Sequence, residues 1–303
     1  MTEPQLVITG PGVYPDMSDV DYHRDPVPAG SLSSTGARKL LPPSCPAKFR
    51  YEQLHGQVSK PEWEIGKAAH HRVLGTGPEI MVLPYDSWRS KEAREERDEI
   101  QAGGGVALLE HENQQVADMA DALAMDPIVG SWFMPDRGWV EHTLVWPDHR
   151  TKIMRRARVD WLSKGPTSRG RVVIADYKTA AKADLESIAK AVASYGYHCQ
   201  GDWYSDGVHE LGLAGPAGVA FVLVIQEKTP PYVVTPVELD EEALMWGSEL
   251  NRTAIDIYRH CTETGVWPGY TNKIEKIELP RYAVTQYEIA RALGPLNIKE
   301  IAA

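Results

Sequence analysis

Five strand-like runs occupy the middle of the chain with one long helical stretch among them, and that order constrains the fold more than any other feature. "WVEHTLVW" (139–146) and "KIMRRARVDWL" (152–162) flank a "PDHR" turn and are predicted to pair as a hairpin. The Gly/Ser-rich "SKGPTSRGR" then leads to a third strand over 171–177. A helical stretch over 183–212 separates it from strands at 218–226 and 232–239, which "EKTPP" joins, and an amphipathic helix follows over 240–264. The order β-β-β-α-β-β-α predicts an α/β fold with a mixed central sheet flanked by helices, because an all-parallel sheet would alternate strand and helix throughout.

The residues before this block read as helices behind an extended lead-in, 1–30, rich in Pro, Gly and Asp. "SLSSTGARKLL" (31–41) starts a helix with Ser33 or Ser34 as N-cap, and Pro42, Pro43 and Pro46 break it. "PEWEIGKAAHHRVLG" (61–75) is a second helix, opened by Pro61 and closed by Gly75. Residues 76–103 are a charged excursion, part helix and part loop, and 106–125 has helical periodicity. The expected organisation is one domain over 1–303: a lead-in and helix (1–60), a core (61–265) with a variable insertion at about 76–135, and a C-terminal tail (266–303).

Bulk properties exclude several classes. No apolar run approaches the ~20 residues of a membrane helix, and the N-terminus lacks the basic start and apolar stretch of a signal peptide. The three cysteines, Cys45, Cys199 and Cys261, are too few for a four-cysteine metal cluster, and their wide spacing suggests a reducing cytoplasm. A net charge of −10 argues against a protein that coats nucleic acid indiscriminately. It leaves room for a cleft with its own local field, and "KIMRRARVDWL" concentrates cations, including Arg156 and Arg158, in one strand.

The chemistry gathers around "VVIADYKTA" (172–180). Alternation puts Asp176 and Lys178 on one face of the strand, and puts Asp160 on the same face of its own strand as Arg156, Arg158 and Leu162. If those strands are neighbours, two carboxylates and a lysine converge at one sheet edge. Two carboxylates with oxygen or imidazole partners suit Mg²⁺ or Mn²⁺, and a compact ammonium beside them suits an attacking water and a charged phosphoryl transition state. A D-x-K taken alone is ordinarily a strand-end ion pair. Here it stands with His70 among small helical residues upstream, and with Gln200 and Tyr204 downstream, four apart on one helix face.

In this combination the chain resembles the RecE-type exonucleases (exodeoxyribonuclease VIII), in the RecB-like branch of the PD-(D/E)XK nuclease superfamily. The likeness runs through His70, "VEHTLVW", "RARVDWL", "ADYKTA", "YGYHCQGDWYSDG" and "FVLVIQEKTPPY", but not 76–135. It implies a restriction-endonuclease-like core with one or two Mg²⁺ ions, Mn²⁺ substituting. It implies His70, Asp160, Asp176 and the Tyr177 carbonyl as ligands, Lys178 as the catalytic lysine, and Gln200 and Tyr204 as positioning groups. Glu141 stands where that family carries an acid at a strand start, so it reads either as a second-metal or substrate group or as a solvated hairpin glutamate.

The activity implied is 5′→3′ degradation of linear double-stranded DNA, leaving 3′ tails for a RecT-type annealing partner, by a protein that can form a homo-oligomeric ring around DNA. Ser33, Ser34 and Arg38 are candidates for gripping the DNA end. Two readings stay open beside it: a structure-specific, single-strand or endonucleolytic enzyme of the same fold, and an inactive DNA-binding module. No G-x-x-x-x-G-K-[ST], H-E-x-x-H or G-x-S-x-G accompanies the constellation.

Overall fold

A computed structural model describes residues 6–15, 17–56, 64–134 and 136–292. Among them a seven-stranded sheet forms with the order β1-β5-β6-β7-β8-β9, and β2 pairs separately with β6. The strands are β1 (Gly12–Tyr14), β2 (Ser31–Ser33), β5 (Gly138–Pro147), β6 (Met154–Ser163), β7 (Val172–Ala180), β8 (Val219–Glu227) and β9 (Val234–Glu238). β5, β6 and β7 form an antiparallel meander. β7 and β8 are parallel, and the crossover between them supplies helices α7 (Leu185–Tyr195) and α8 (Tyr197–Glu210). The mixed α/β sheet that the strand order requires is present.

Both faces of the sheet are covered, which explains why β7 and β8 read as near-continuous apolar runs. Ile174, Leu223 and Ile225 pack beneath α8, α2 (Ser34–Lys39), α3 (Pro46–His55) and α9 (Glu241–Thr264) through Trp203, Ala37, Phe49 and Ile255. Val173, Ala175 and Val224 face α4 (Glu64–Leu74) and α6 (Glu110–Ala124) through Ala68, Ala69, Val116 and Met119. Ala68 and Ala69 are fully buried, so α4 lies close against the sheet.

Several local expectations need correction. The helical stretch 183–212 breaks at Gly196, whose φ of 67° leaves the helical region and where a Cβ would lie 2.5 Å from Arg38 Nε. Residues 106–109 are the strand β4 (Val106–Leu109), parallel to β3 (Ile80–Leu83) across α5 (Lys91–Ala102). A four-residue apolar run at a helix start carries no period of its own, so the pattern merged it with α6. Pro46 opens α3 instead of ending the helix before it. The lead-in holds β1 and α1 (Asp19–Arg24). The helix start placed at Pro61 lies outside the described residues, whereas Gly75 does follow α4, with a φ of 72°.

The chain divides into two compact units, 1–267 and 268–303. The second, read from sequence as a tail, carries α10 (Arg281–Ala292), which buries no residue. No helix among the described residues is long and apolar enough to cross a membrane.

The β5–β6 turn is fastened to α9 by Asp148. Its buried carboxylate accepts from Thr151 N–H (2.8 Å) and Oγ1 (2.7 Å), and from Arg252 Nη1 (3.1 Å) and Nη2 (2.5 Å). Burial would raise this carboxyl, but Arg252 and Thr151 hold it well below the usual range. Asp148→Ala is therefore expected to cost about 1–3 kcal/mol at pH 7, seen as a lower urea midpoint at unchanged slope. A lowered folded-state pKa stabilises above the unfolded value, so the deficit should shrink below about pH 4.

Candidate active site

β6 meets two different strands along one side. Met154–Arg156 pair with β2, and Trp161 and Leu162 pair with β7. Between them the edge of β6 has no strand partner. The β6–β7 register (Trp161↔Ala175, Leu162↔Ile174) would next set Asp160 opposite Asp176, and there the pairing stops. Asp160 Oδ2 instead accepts the Tyr177 N–H at 2.9 Å. A residue's N–H and C=O point to the same side of an extended strand, so the Tyr177 carbonyl also faces this gap. The expected convergence at a sheet edge is thus corrected: β6 and β7 are central strands, and the site is a split inside the sheet.

On the other side of β6 the ladder with β5 is also interrupted. Val140 pairs with Trp161 and His142 with Val159, while Glu141, between them and opposite Asp160, has a φ of 54°. Few side chains other than glycine adopt this backbone region, and such strain gathers at functional sites. The facing pattern slips at the same point. Val159 and Leu162 pack in one core and Trp161 in the other; Leu144 and Trp146 pack opposite to Val140. Strict alternation is therefore broken at Asp160, and the face it was expected to share with Arg156, Arg158 and Leu162 does not run through it.

The split gathers side chains from five elements: α4, β5, β6, β7 and α8. His70 of α4 places Nε2 3.2 Å from Asp160 Oδ2 and 3.6 Å from Glu141 Oε1. His70, Glu141 and Asp160 each offer a donor atom within 4.8 Å of the others. Asp176 turns to a different set of partners: Lys178 Nζ lies 2.5 Å from its Oδ2, and Gln200 Nε2 donates to its Oδ1 at 2.7 Å. Lys178 also reaches to 3.9 Å from Asp160 Oδ2, so it bridges the two aspartates. Asp176 Oδ2 has this ion pair but no aligned hydrogen-bond donor, although it is fully buried. The Tyr177 side chain leaves the site and donates to Gln226 at 2.5 Å.

The other predicted site residues border this cluster or lie away from it. Tyr204 is buried against Phe221, beneath the site, and burial pushes its hydroxyl far above the usual range. Ser33 caps α2 by accepting from Gly36 N–H (3.1 Å), Ser34 is buried, and Arg38 donates to the Ser194 carbonyl at the α7–α8 junction (3.2 Å). Arg156 is buried on Ser31 and Asp25. Arg158 contacts Asp19, Met17 and Ser18 and lies 3.7 Å from Glu141. These lead-in residues were missed because a short acidic and aromatic stretch has no period that marks it as part of a site.

Electrostatics set the carboxylates apart. Burial pushes the Glu141 carboxyl up to about 7, and the nearby Asp160 charge adds to the rise. Burial would raise Asp160 too, but Lys178, His70 and the Tyr177 N–H bring it down to about 2. Asp176 is raised by burial to about 6 despite Lys178. Burial would lower both His70 and Lys178, and the adjoining acids reverse it in each case. One acid is thus firmly ionised, while its two neighbours hold their protons more readily.

The PDDEXK-like domain of unknown function DUF3799 matches residues 44–280. No curated protein matches the chain. Among solved structures, a Eubacterium rectale protein provisionally described as an exonuclease is similar at a TM-score of 0.57 and 13% identity, over 89% of this chain and 98% of that one. At that identity the likeness concerns the fold.

The oxygen and imidazole donors of His70, Glu141 and Asp160 fit a hard divalent cation, with the Asp176 carboxylate beside them held by Lys178 and Gln200. Such an ion must displace protons from Glu141, Asp176 and His70. Calorimetric titration with Mn²⁺ is expected to show affinity falling about tenfold per pH unit for each proton displaced, so more steeply than tenfold below about pH 6, with proton release on binding. His70→Ala should abolish most of that binding while the protein stays folded.

Proposed function

The chain belongs to the PDDEXK-like DUF3799 family, and from that membership we propose that it is a metal-dependent deoxyribonuclease that hydrolyses phosphodiester bonds. One arrangement carries the reading: a lysine bridging two buried aspartates at a split in the sheet, beside an imidazole and a third acid. A structural ion pair needs no such company. Burying this many charges is costly, and strain at Glu141 adds to the cost.

His70, Asp160 and Glu141 would hold the ion, with Asp176 and the Tyr177 carbonyl within the same gap. When bound, Mg²⁺ or Mn²⁺ would supply the Lewis acidity that polarises a phosphodiester and acidifies water. The residues of the chain do the positioning. Tyr177 N–H fixes the Asp160 carboxylate, and Gln200 fixes that of Asp176. Lys178, kept charged by both aspartates, orients the attacking water and offsets charge that develops on the phosphoryl oxygens. Tyr204, beneath Gln200, supports that helix face.

Within this reading the substrate is linear double-stranded DNA, degraded 5′→3′ to leave 3′ tails for an annealing partner. A homo-oligomeric ring would hide basic surface inside a chain of net charge −10. Support for the preference for ends comes from the sequence resemblance and from the fold shared with the Eubacterium rectale protein.

The test compares linear duplex with covalently closed circular DNA in Mg²⁺. Wild type is expected to degrade the linear form and spare the circle, and Lys178→Ala to slow degradation by about a hundredfold or more. Equal cutting of the circle would refute end dependence, and full activity without Lys178 would refute the site.

A further inference from the structure

Arg158 stands beside the donor cluster yet is occupied by an acid from the lead-in. Its Nε lies 3.7 Å from Glu141 Oε2, and Glu141 in turn faces His70. Its Nη1 pairs with Asp19, and its Nη2 donates to the carbonyls of Met17 (2.6 Å) and Ser18 (3.0 Å). The Tyr22 ring covers the guanidinium at 4.7 Å. The Arg158 side chain is only 10% exposed, whereas the Asp19 side chain is 59% exposed. The acid therefore forms the outer layer and the cation the inner one.

The other cations near the split are held differently. Lys178 is matched by Asp176, which is fully buried, and Arg156 by Asp25, which is 15% exposed. Asp19 belongs to α1, a six-residue helix with no buried residue. The segment that carries it is anchored at its ends by buried Met17 and Val27, which pack with Ile8 and Val145. Tyr22, in its middle, is half-buried against that same small cluster and covers both Arg156 and Arg158, so the segment packs on this cluster and the Asp19 carboxylate is its exposed edge. A guanidinium presents the same fork of donors to a carboxylate and to a phosphodiester.

We propose that Arg158 is the phosphate-binding cation beside the catalytic cluster, and that Asp19 fills its anion position until DNA exchanges a backbone phosphate for the carboxylate. The inference rests on the nuclease reading and deepens it. It makes the Asp19 carboxylate a cover that a competing polyanion displaces, while Met17 and Asp25 keep the segment in place. It also reconciles an acidic chain with a DNA substrate, because the free cleft keeps its cation neutralised.

Binding of a short fluorescein-labelled linear duplex, followed by anisotropy with Ca²⁺ in place of Mg²⁺, tests this apart from turnover. Asp19→Ala should tighten binding about three- to tenfold, and Asp21→Ala, on the same helix but not on Arg158, should change it far less. Arg158→Lys should weaken binding, and in that background Asp19→Ala should gain little, since the two effects are coupled. Equal gains from Asp19→Ala in both backgrounds, or equal gains from Asp19→Ala and Asp21→Ala, would overturn the assignment while leaving the nuclease reading intact. Failure of the wild type to bind DNA at all would overturn both.

Discussion

The hydrogen bond from Tyr177 N–H to Asp160 is the contact on which the site depends. A backbone donor buried between two central strands must find an acceptor. In a continuous sheet it would find a carbonyl of β6. Here β6 is shared between β2 and β7, the two strands do not close on each other, and a carboxylate fills the position that a ladder bond would take. That substitution holds Asp160 in the plane of the sheet, leaves the Tyr177 carbonyl facing the gap, and brings Asp176 and Lys178 to the opposite wall.

Charge balance explains how such a gap persists in a folded protein. Glu141, Asp160 and Asp176 meet His70, Lys178 and Arg158, so every buried charge has an opposite within reach. Removing one partner would strand another in low dielectric, which costs more than the pair contributes. The acids also differ in proton affinity, with Asp160 lowered and Glu141 and Asp176 raised. Such division among adjacent carboxylates is characteristic of sites arranged for chemistry and not for stability.

The same balance extends outward to the N-terminal lead-in. Arg156 and Arg158 were the obvious basic candidates in the sequence, yet both are turned inward onto Asp25 and Asp19. Their charge supports the fold of residues 17–31 against β6, and only the Asp19 pairing lies where solvent and a polyanion can compete for it.

The sequence by itself determined the sheet, its helical cover and most members of the constellation. Strand order, turn residues and apolar runs are local signals, and β5 to β8 follow them closely. His70, Asp160, Asp176, Lys178 and Gln200 were legible as residue types in a suitable order. The tertiary structure alone decided that Glu141 joins His70 and Asp160 while Asp176 turns to Lys178 and Gln200, and that Asp19 covers Arg158. The reason is physical. Periodicity describes a strand as a regular object, and this site exists where two strands lose their alternation at Glu141 and Asp160 and a third pulls away, a departure fixed by contacts between segments far apart in the chain.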